Sequence, residues 1–515
     1  MGVLRHILCD FCGWTSAHGL PHIGAAQTTI LRLFWSVIVL FCSGLICWQL
    51  FVAFSKYFSF PVQVDFQVQH KQYDFPAVTF CNLNPYKASE IQRIPGLPTL
   101  MRDYELALRG VFAPADPWGF AAIAAEAGQA QLLHLLQAQA QEHLVLMAEA
   151  QADSPDFQPL LYTGQELLQN CAFNTKPCTM DRDYTSFVDA VFGRCFTFNF
   201  RQPPDYRSTR AGALYGLKLL LVANQSEYLP TSPTAGFRVI IHRQGEQPFP
   251  DSEGVDAPVG YATAIGVSYA NISRKAWPYG NCSRLWKVDG EEAEGQPYYY
   301  PTYSVQGCFR SCFQAAISSE DGCGCYDPRY ARPAASTAPL CTPAQLDCLQ
   351  RFRGNSHHQD WLPLEKCACV SACDTAKLDF TVSAALWPAR NYIPSACKGL
   401  SASGAWSTSE CKAWHEENSL FLEVYYERLE FARLSESGTY SVSKLVADIG
   451  SQFGLWLGLS IITLVEFGFL FVLLITRKGA RGASLAGALD EEGSDAKGRK
   501  SSYIAPPTPT KPKSS

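Results

Sequence analysis

Three glycines, Gly450, Gly454 and Gly458, recur every four residues near the carboxyl end of this chain. In a helix that spacing sets them on one face, where each costs about 1 kcal/mol relative to alanine. Taken alone, the spacing favours close helix packing through small residues. It also permits a narrow path lined by peptide groups, whose carbonyls replace an ion's hydration water. Glu466 follows, the one charged residue between Phe453 and Ile475. A charge in a membrane helix costs about 2.5–3.5 kcal/mol on insertion scales, so this carboxylate must face water or a partner. Facing water, copies of it around a pore would concentrate cations; the alternative is a packing carboxyl that is protonated at times.

Cysteine offers a second chemistry. Cys308 and Cys312, and Cys323 and Cys325, have spacings met in metal sites. They belong, however, to sixteen cysteines confined between positions 81 and 411: Cys81, Cys171, Cys178, Cys195, Cys282, Cys308, Cys312, Cys323, Cys325, Cys341, Cys348, Cys367, Cys369, Cys373, Cys397 and Cys411. The same segment carries Asn-x-Ser sequons at Asn224, Asn271 and Asn281. Both features point to an oxidising compartment and to disulfides rather than a metal; connectivity stays open at this level. No HExxH, GxSxG or P-loop sequence occurs, so an enzyme is not expected. No cofactor is expected either. The formal net charge of −5 comes without a long basic run, so a nucleic-acid partner is not expected.

These residues need elements to hold them. Leu33–Phe54 has 22 residues without a charge, and Phe453–Ile475 has 23 with only Glu466. Each matches the roughly 20 apolar residues that span a bilayer. The first run is too long, and starts too late, for a signal peptide. Arg477, Lys478 and Arg481 mark a cytoplasmic flank after the second. Two crossings then put both tails in the cytoplasm and the cysteine-rich loop outside. Between them, Val62–Gln69 alternates as a half-buried strand, and strands are expected at 75–80, 215–222, 236–242 and 420–429. Residues 119–150, rich in Ala, Gln and Leu, read as a solvated helical insertion, and 308–373 as short helices or loops stapled by disulfides. One sheet continuous with both membrane helices forms the expected core. The tail is expected to be disordered, with a phosphorylation candidate at Arg499-Lys500-Ser501-Ser502.

Residues 448–460, Asp-Ile-Gly-Ser-Gln-Phe-Gly-Leu-Trp-Leu-Gly-Leu-Ser, resemble the pore sequence of the epithelial sodium channel/degenerin family of amiloride-sensitive sodium channels. Further blocks fall in the family's order: His18-Gly19, 57–61, 75–84, 192–199, 278–282, 303–308, 310–312 and 323–330. The resemblance implies that Gly458-Leu459-Ser460 is the selectivity filter and that Gly454 stands where amiloride blocks, with Gly450 and Glu466 also in the pore. Ala447 matches the position where bulky side chains hold related channels open. His18 and Gly19 match a gating motif, and Tyr279 is placed to touch the top of the first helix. Within the family, Ser16–Gly24 resembles the invertebrate peptide-gated and bile-acid-sensitive channels. One departure is plain: where members often carry carboxylates three and seven residues after the glutamate, this chain has Phe469 and Leu473.

The expectation is therefore an α+β membrane protein: a cytoplasmic N-tail (1–31), a first transmembrane helix (32–55) and an extracellular disulfide-rich domain with a central sheet and peripheral helices (56–446). A pore-lining second helix (447–476) and the cytoplasmic tail (477–515) follow. The resemblance implies a plasma-membrane subunit of a trimeric, sodium-selective, amiloride-sensitive channel opened by an extracellular peptide, protons or another small molecule. Its partners would be sodium ions, the lipid bilayer and two further subunits. The alternatives are an ATP-gated type of trimeric receptor channel and a non-conducting accessory or adhesion subunit.

Overall fold

The computed structural model describes residues 11–70, 73–283, 298–332, 337–352, 367, 369–398 and 406–486. Cys9 and the tail beyond Ala486, with its phosphorylation candidate, lie outside them. The chain divides into two compact units, residues 1–61 with 439–515, and residues 62–438.

The first unit is helical. After a helical turn at 11–14, α1 (Leu20–Ala25) precedes α2 (Thr29–Phe58), which is long and apolar enough to cross a membrane. Thr28 caps α2 by accepting the Leu31 N–H. The amino-terminal segment is thus folded from residue 11 onward.

The remaining elements of the helical unit come from the other end of the chain. β1 (Val62–His70), β2 (Ala77–Asn82), α3 (Leu97–Leu108), α4 (Phe120–Glu126) and α5 (Gln129–Glu149) are followed by β3 (Leu168–Phe173), β4 (Lys176–Pro177), β5 (Tyr184–Asp189) and β6 (Gly193–Phe198). Then come β7 (Leu217–Val222), β8 (Gly236–His242), β9 (Val255–Pro258), β10 (Tyr261–Ser273), α6 (Val305–Ser318), α7 (Leu346–Phe352), β11 (Asp374–Leu386), α8 (Thr408–Asn418), β12 (Ser419–Tyr426) and β13 (Glu430–Gly438). In place of one sheet the described residues form two large ones, besides a two-stranded ribbon of Tyr73–Asp74 with Arg207–Ser208. The larger has eight strands in the order β1-β13-β10-β12-β7-β3-β4, with β11 also on β10; the smaller has five, β9-β8-β2-β6-β5. Leu420, Leu422, Val424 and Tyr426 alternate into the core from β12, and Leu217, Leu219 and Leu221 from β7. They meet Val78, Phe80, Phe196, Phe198 and Phe237 in one apolar cluster.

Two expectations fail here for physical reasons. β1 does alternate, but it is not half-buried: Val62, Val64, Phe66 and Val68 are all exposed, because β1 pairs only with β13, at the sheet's edge. The 119–150 insertion is not a solvated helix. It is two helices, and Leu136, Ala140, Leu144 and Ala148 of α5 bury one face against Leu100, Tyr104 and Phe120.

All sixteen cysteines pair, as Cys81–Cys195, Cys171–Cys178, Cys282–Cys373, Cys308–Cys369, Cys312–Cys367, Cys323–Cys348, Cys325–Cys341 and Cys397–Cys411. The sulfurs whose spacing suggested a metal are therefore spent on one another. Four of these bonds tie α6 and the residues after it to the stretch 341–369, around a small core of Ile317, Leu346 and Leu349 with Leu146 of α5.

Candidate functional site

The helical unit is completed by α9 (Val442–Leu457) and α10 (Ile461–Ala486). A single pore helix over 447–476 is not what forms. The helix starts earlier, extends beyond 476, and breaks at Gly458-Leu459-Ser460, bending by 78° between Val442–Leu457 and Ile461–Val472. Only taken together are these two pieces long and apolar enough to cross a membrane.

Helix-stop and helix-start signals sit side by side at the break. Gly458 ends α9 with φ +59°, in the left-handed region that glycine tolerates. Ser460 then accepts the Thr463 N–H at 3.4 Å while its own N–H donates to Thr463 Oγ1 at 3.1 Å. Between them the peptide groups leave the helical ladder. Among the described residues, no hydrogen bond ends on the Gly458 or Leu459 carbonyl.

The amino-terminal segment braces this turn. The His18 N–H donates to the Leu457 carbonyl at 2.8 Å, and a Cβ at Gly458 would come within 2.1 Å of His18 Nδ1. Gly19, at φ +89°, lies so close to α2 that a Cβ would sit 2.5 Å from Val39 Cγ2. Glu466 is not left facing open water. Its Oε2 accepts from Thr15 Oγ1 (3.0 Å), the Ser16 N–H (2.8 Å) and Ser16 Oγ (3.2 Å). Ser16 Oγ also lies 2.6 Å from Thr463 Oγ1. The turn at 458–460, Thr463, Ser16 and Glu466 thus form one polar chain. Phe469 makes an edge contact with Trp14, and Phe467 meets Phe11. The side chain of Leu473 lies outside the described residues.

Elsewhere in this unit, α9 packs along α2, with Trp456 Nε1 donating to Gln49 Oε1 at 2.9 Å. A Cβ at Gly450 or Gly454 would meet nothing within 4 Å, so close packing inside this chain does not account for either glycine. Ala447 is exposed, and its neighbour Asp448 accepts the Tyr440 hydroxyl. Sequence reasoning missed Thr15, Thr463, Gln49 and the Leu457 carbonyl. A signal existed for Thr463: it is the only polar residue between Ser460 and Glu466, and lies three residues before the carboxylate, on its face.

In the sheet unit, the ring of Tyr279 lies against Gly438 at the end of β13, where a Cβ would sit 2.9 Å from it. Asn224 and Asn281 lie in loops; Asn271 lies within β10, in register with Ala376 of β11 and Arg433 of β13. Two buried groups there have displaced acidities. Burial, with Asp189 nearby, pushes the Glu149 carboxyl up to about 7, and one of its oxygens has no hydrogen-bond partner, as does the buried Tyr86 hydroxyl. Burial pushes His242 down to about 4, between Thr79 Oγ1 and the Arg243 carbonyl.

The profile of the family described as amiloride-sensitive sodium channel matches residues 11–470. The chain belongs to the amiloride-sensitive sodium channel family. It is 34% identical over 491 residues to the degenerin-like protein asic-2 of Caenorhabditis elegans, covering 92% of this chain and 87% of that one. It is 36% identical over 319 residues to degenerin unc-8 of C. elegans, covering 61% of this chain and 39% of the relative. With degenerin mec-4 of Caenorhabditis briggsae it shares 36% identity over 339 residues, covering 64% and 41%. The chain thus spans most of the first relative and less than half of the other two. As a family member it is a cation-channel subunit in a membrane and not of an enzyme class, which sets aside the ATP-gated receptor reading.

Proposed function

We propose that three copies of this subunit enclose a sodium-selective, amiloride-sensitive pore in the plasma membrane, opened by an extracellular ligand. In this reading Gly458, Leu459 and Ser460 form the filter, and Gly454 and Gly450 line the wider path above it. Ala447, Tyr279 and the His18-Gly19 pair take part in gating, and both tails are cytoplasmic. The observation that carries it is the broken helix with two unpaired carbonyls. In the hydrocarbon layer, non-helical backbone is tolerated only where it is buried in protein or lines a water-filled cavity, and unpaired carbonyls suit partial replacement of a cation's water. The open faces of Gly450 and Gly454 support the same path. The exposed apolar row on β1 supports assembly, since such a face is ordinarily covered by a partner.

The test is expression in oocytes under voltage clamp, with a peptide panel, pH steps and amiloride in sodium or potassium solutions. The expected result is an evoked inward current that amiloride reduces and whose reversal potential falls when potassium replaces sodium outside. A surface-expressed chain that carries no current alone, yet alters the current of a related subunit, would replace this reading with that of an accessory subunit.

A further inference from the structure

Helix α8 presents one face that the channel reading does not use. Glu410, Ala413, Trp414 and Glu417 fall at helical spacing on a single face. With Trp406, which lies just before the helix, they line an open cleft of about 430 Å³. The two indoles meet edge to face, with centroids 6.1 Å apart. Trp406 is 44% exposed, a large apolar area for a residue ordinarily well buried.

The charges of the helix are sorted between its faces. Lys412 turns away, donating to the Ala389 and Arg390 carbonyls and lying 3.9 Å from Glu416. Among the described residues, Glu410 and Glu417 have no cation partner, and no basic side chain lines the cleft. Glu410 is also held in place: one of its oxygens accepts the Ser407 N–H at 2.8 Å and the Ser407 hydroxyl at 2.7 Å in a capping box. Its other oxygen makes no hydrogen bond among the described residues. The Ser407 N–H keeps the carboxyl below its ordinary value, so the group is anionic at neutral pH.

Two indole rings beside two carboxylates make a surface complementary to one kind of guest. A cation over an indole face gains about 0.5–1 kcal/mol at an exposed site and about 2 kcal/mol or more where water is displaced. A carboxylate adds charge-assisted hydrogen bonds where the guest carries N–H groups. We propose that this cleft binds an organic cation, an ammonium or guanidinium group borne by a small amine or by a basic peptide side chain.

The test is saturation-transfer NMR on the full-length protein in nanodiscs. The probes are tetramethylammonium, N-acetyl-arginine amide and, as the uncharged counterpart, 3,3-dimethylbutanol. Saturation should pass to the cations and not to the alcohol. Glu410→Gln with Glu417→Gln should weaken binding by about tenfold or more, with the fold kept because glutamine also closes a capping box. Trp406→Leu should weaken tetramethylammonium in particular. Preference for the arginine amide would point to a peptide side chain as the natural guest; equal binding would point to a small amine. The proposal is overturned if neither cation binds, if the alcohol binds equally, or if the double glutamine variant binds as the parent does.

Discussion

Single residues set the most local expectations. Ala447 is exposed on α9, so a larger side chain finds room within its own subunit. Any effect must then arise against other subunits or in the open state. Ala447→Val is expected to raise resting current several-fold, read as the leak of surface-labelled channels; an unchanged leak would count against the alignment of the pore. Glu149 allows a pH prediction with a definite sign. Its carboxyl holds a proton up to about 7 in the folded protein, whereas in the unfolded chain it loses it near 4.3. Between those values the folded state binds more protons, so the stabilising effect is complete at low pH and fades as pH rises through 7. Displacement of this size corresponds to on the order of 3 kcal/mol. Glu149→Gln should remove that slope from denaturation profiles taken at pH 5 to 8, and should stabilise the protein above pH 7. His242 works in the other sense, its contribution disappearing as pH falls from 6.5 toward 4.

Elements were legible to different depths. The Gly236–His242 strand and both apolar runs could be read directly, because burial demands long unmixed stretches or strict alternation. The break at 458–460 could not be read from hydrophobicity, since the apolar run passes through it unbroken. Its warrant lies in residue types, a glycine that ends one helix and a serine that caps the next, two residues apart. The long partner-switching strand β10 was missed because its residues are mixed: it pairs in parallel first with β12 and then with β13, and each half answers to a different neighbour. The error at 119–150 came from composition, as alanine and glutamine read as surface while a four-residue repeat of Leu and Ala was burying itself. Leu144→Ala on that face should lower stability by about 2–5 kcal/mol, measured as a shift in the thermal transition of the detergent-solubilised channel. A shift near zero would show that α5 contributes little to the fold.

At the scale of the whole molecule, the row Val62, Val64, Phe66 and Val68 is the plainest sign that one chain is incomplete. Val64→Ser with Phe66→Ser leaves the β1–β13 backbone ladder intact, yet removes much of the apolar area available to a neighbour. The pair is expected to shift the assembly toward smaller species in light scattering after size exclusion. An unchanged molar mass would place the subunit contacts elsewhere. Family membership was readable because ordered blocks span the chain. The brace beneath the turn at 458–460 was not, because it joins residues some 450 positions apart.

That brace has a practical side. Residues Thr15 to His18 donate hydrogen bonds to the Leu457 carbonyl and the Glu466 carboxylate, so whatever tugs on the amino-terminal segment tugs on the turn at 458–460. Fluorescent or affinity fusions placed there are expected to alter unitary conductance or open time as well as trafficking, and recordings from such versions should be set beside an untagged channel before any permeation property is assigned.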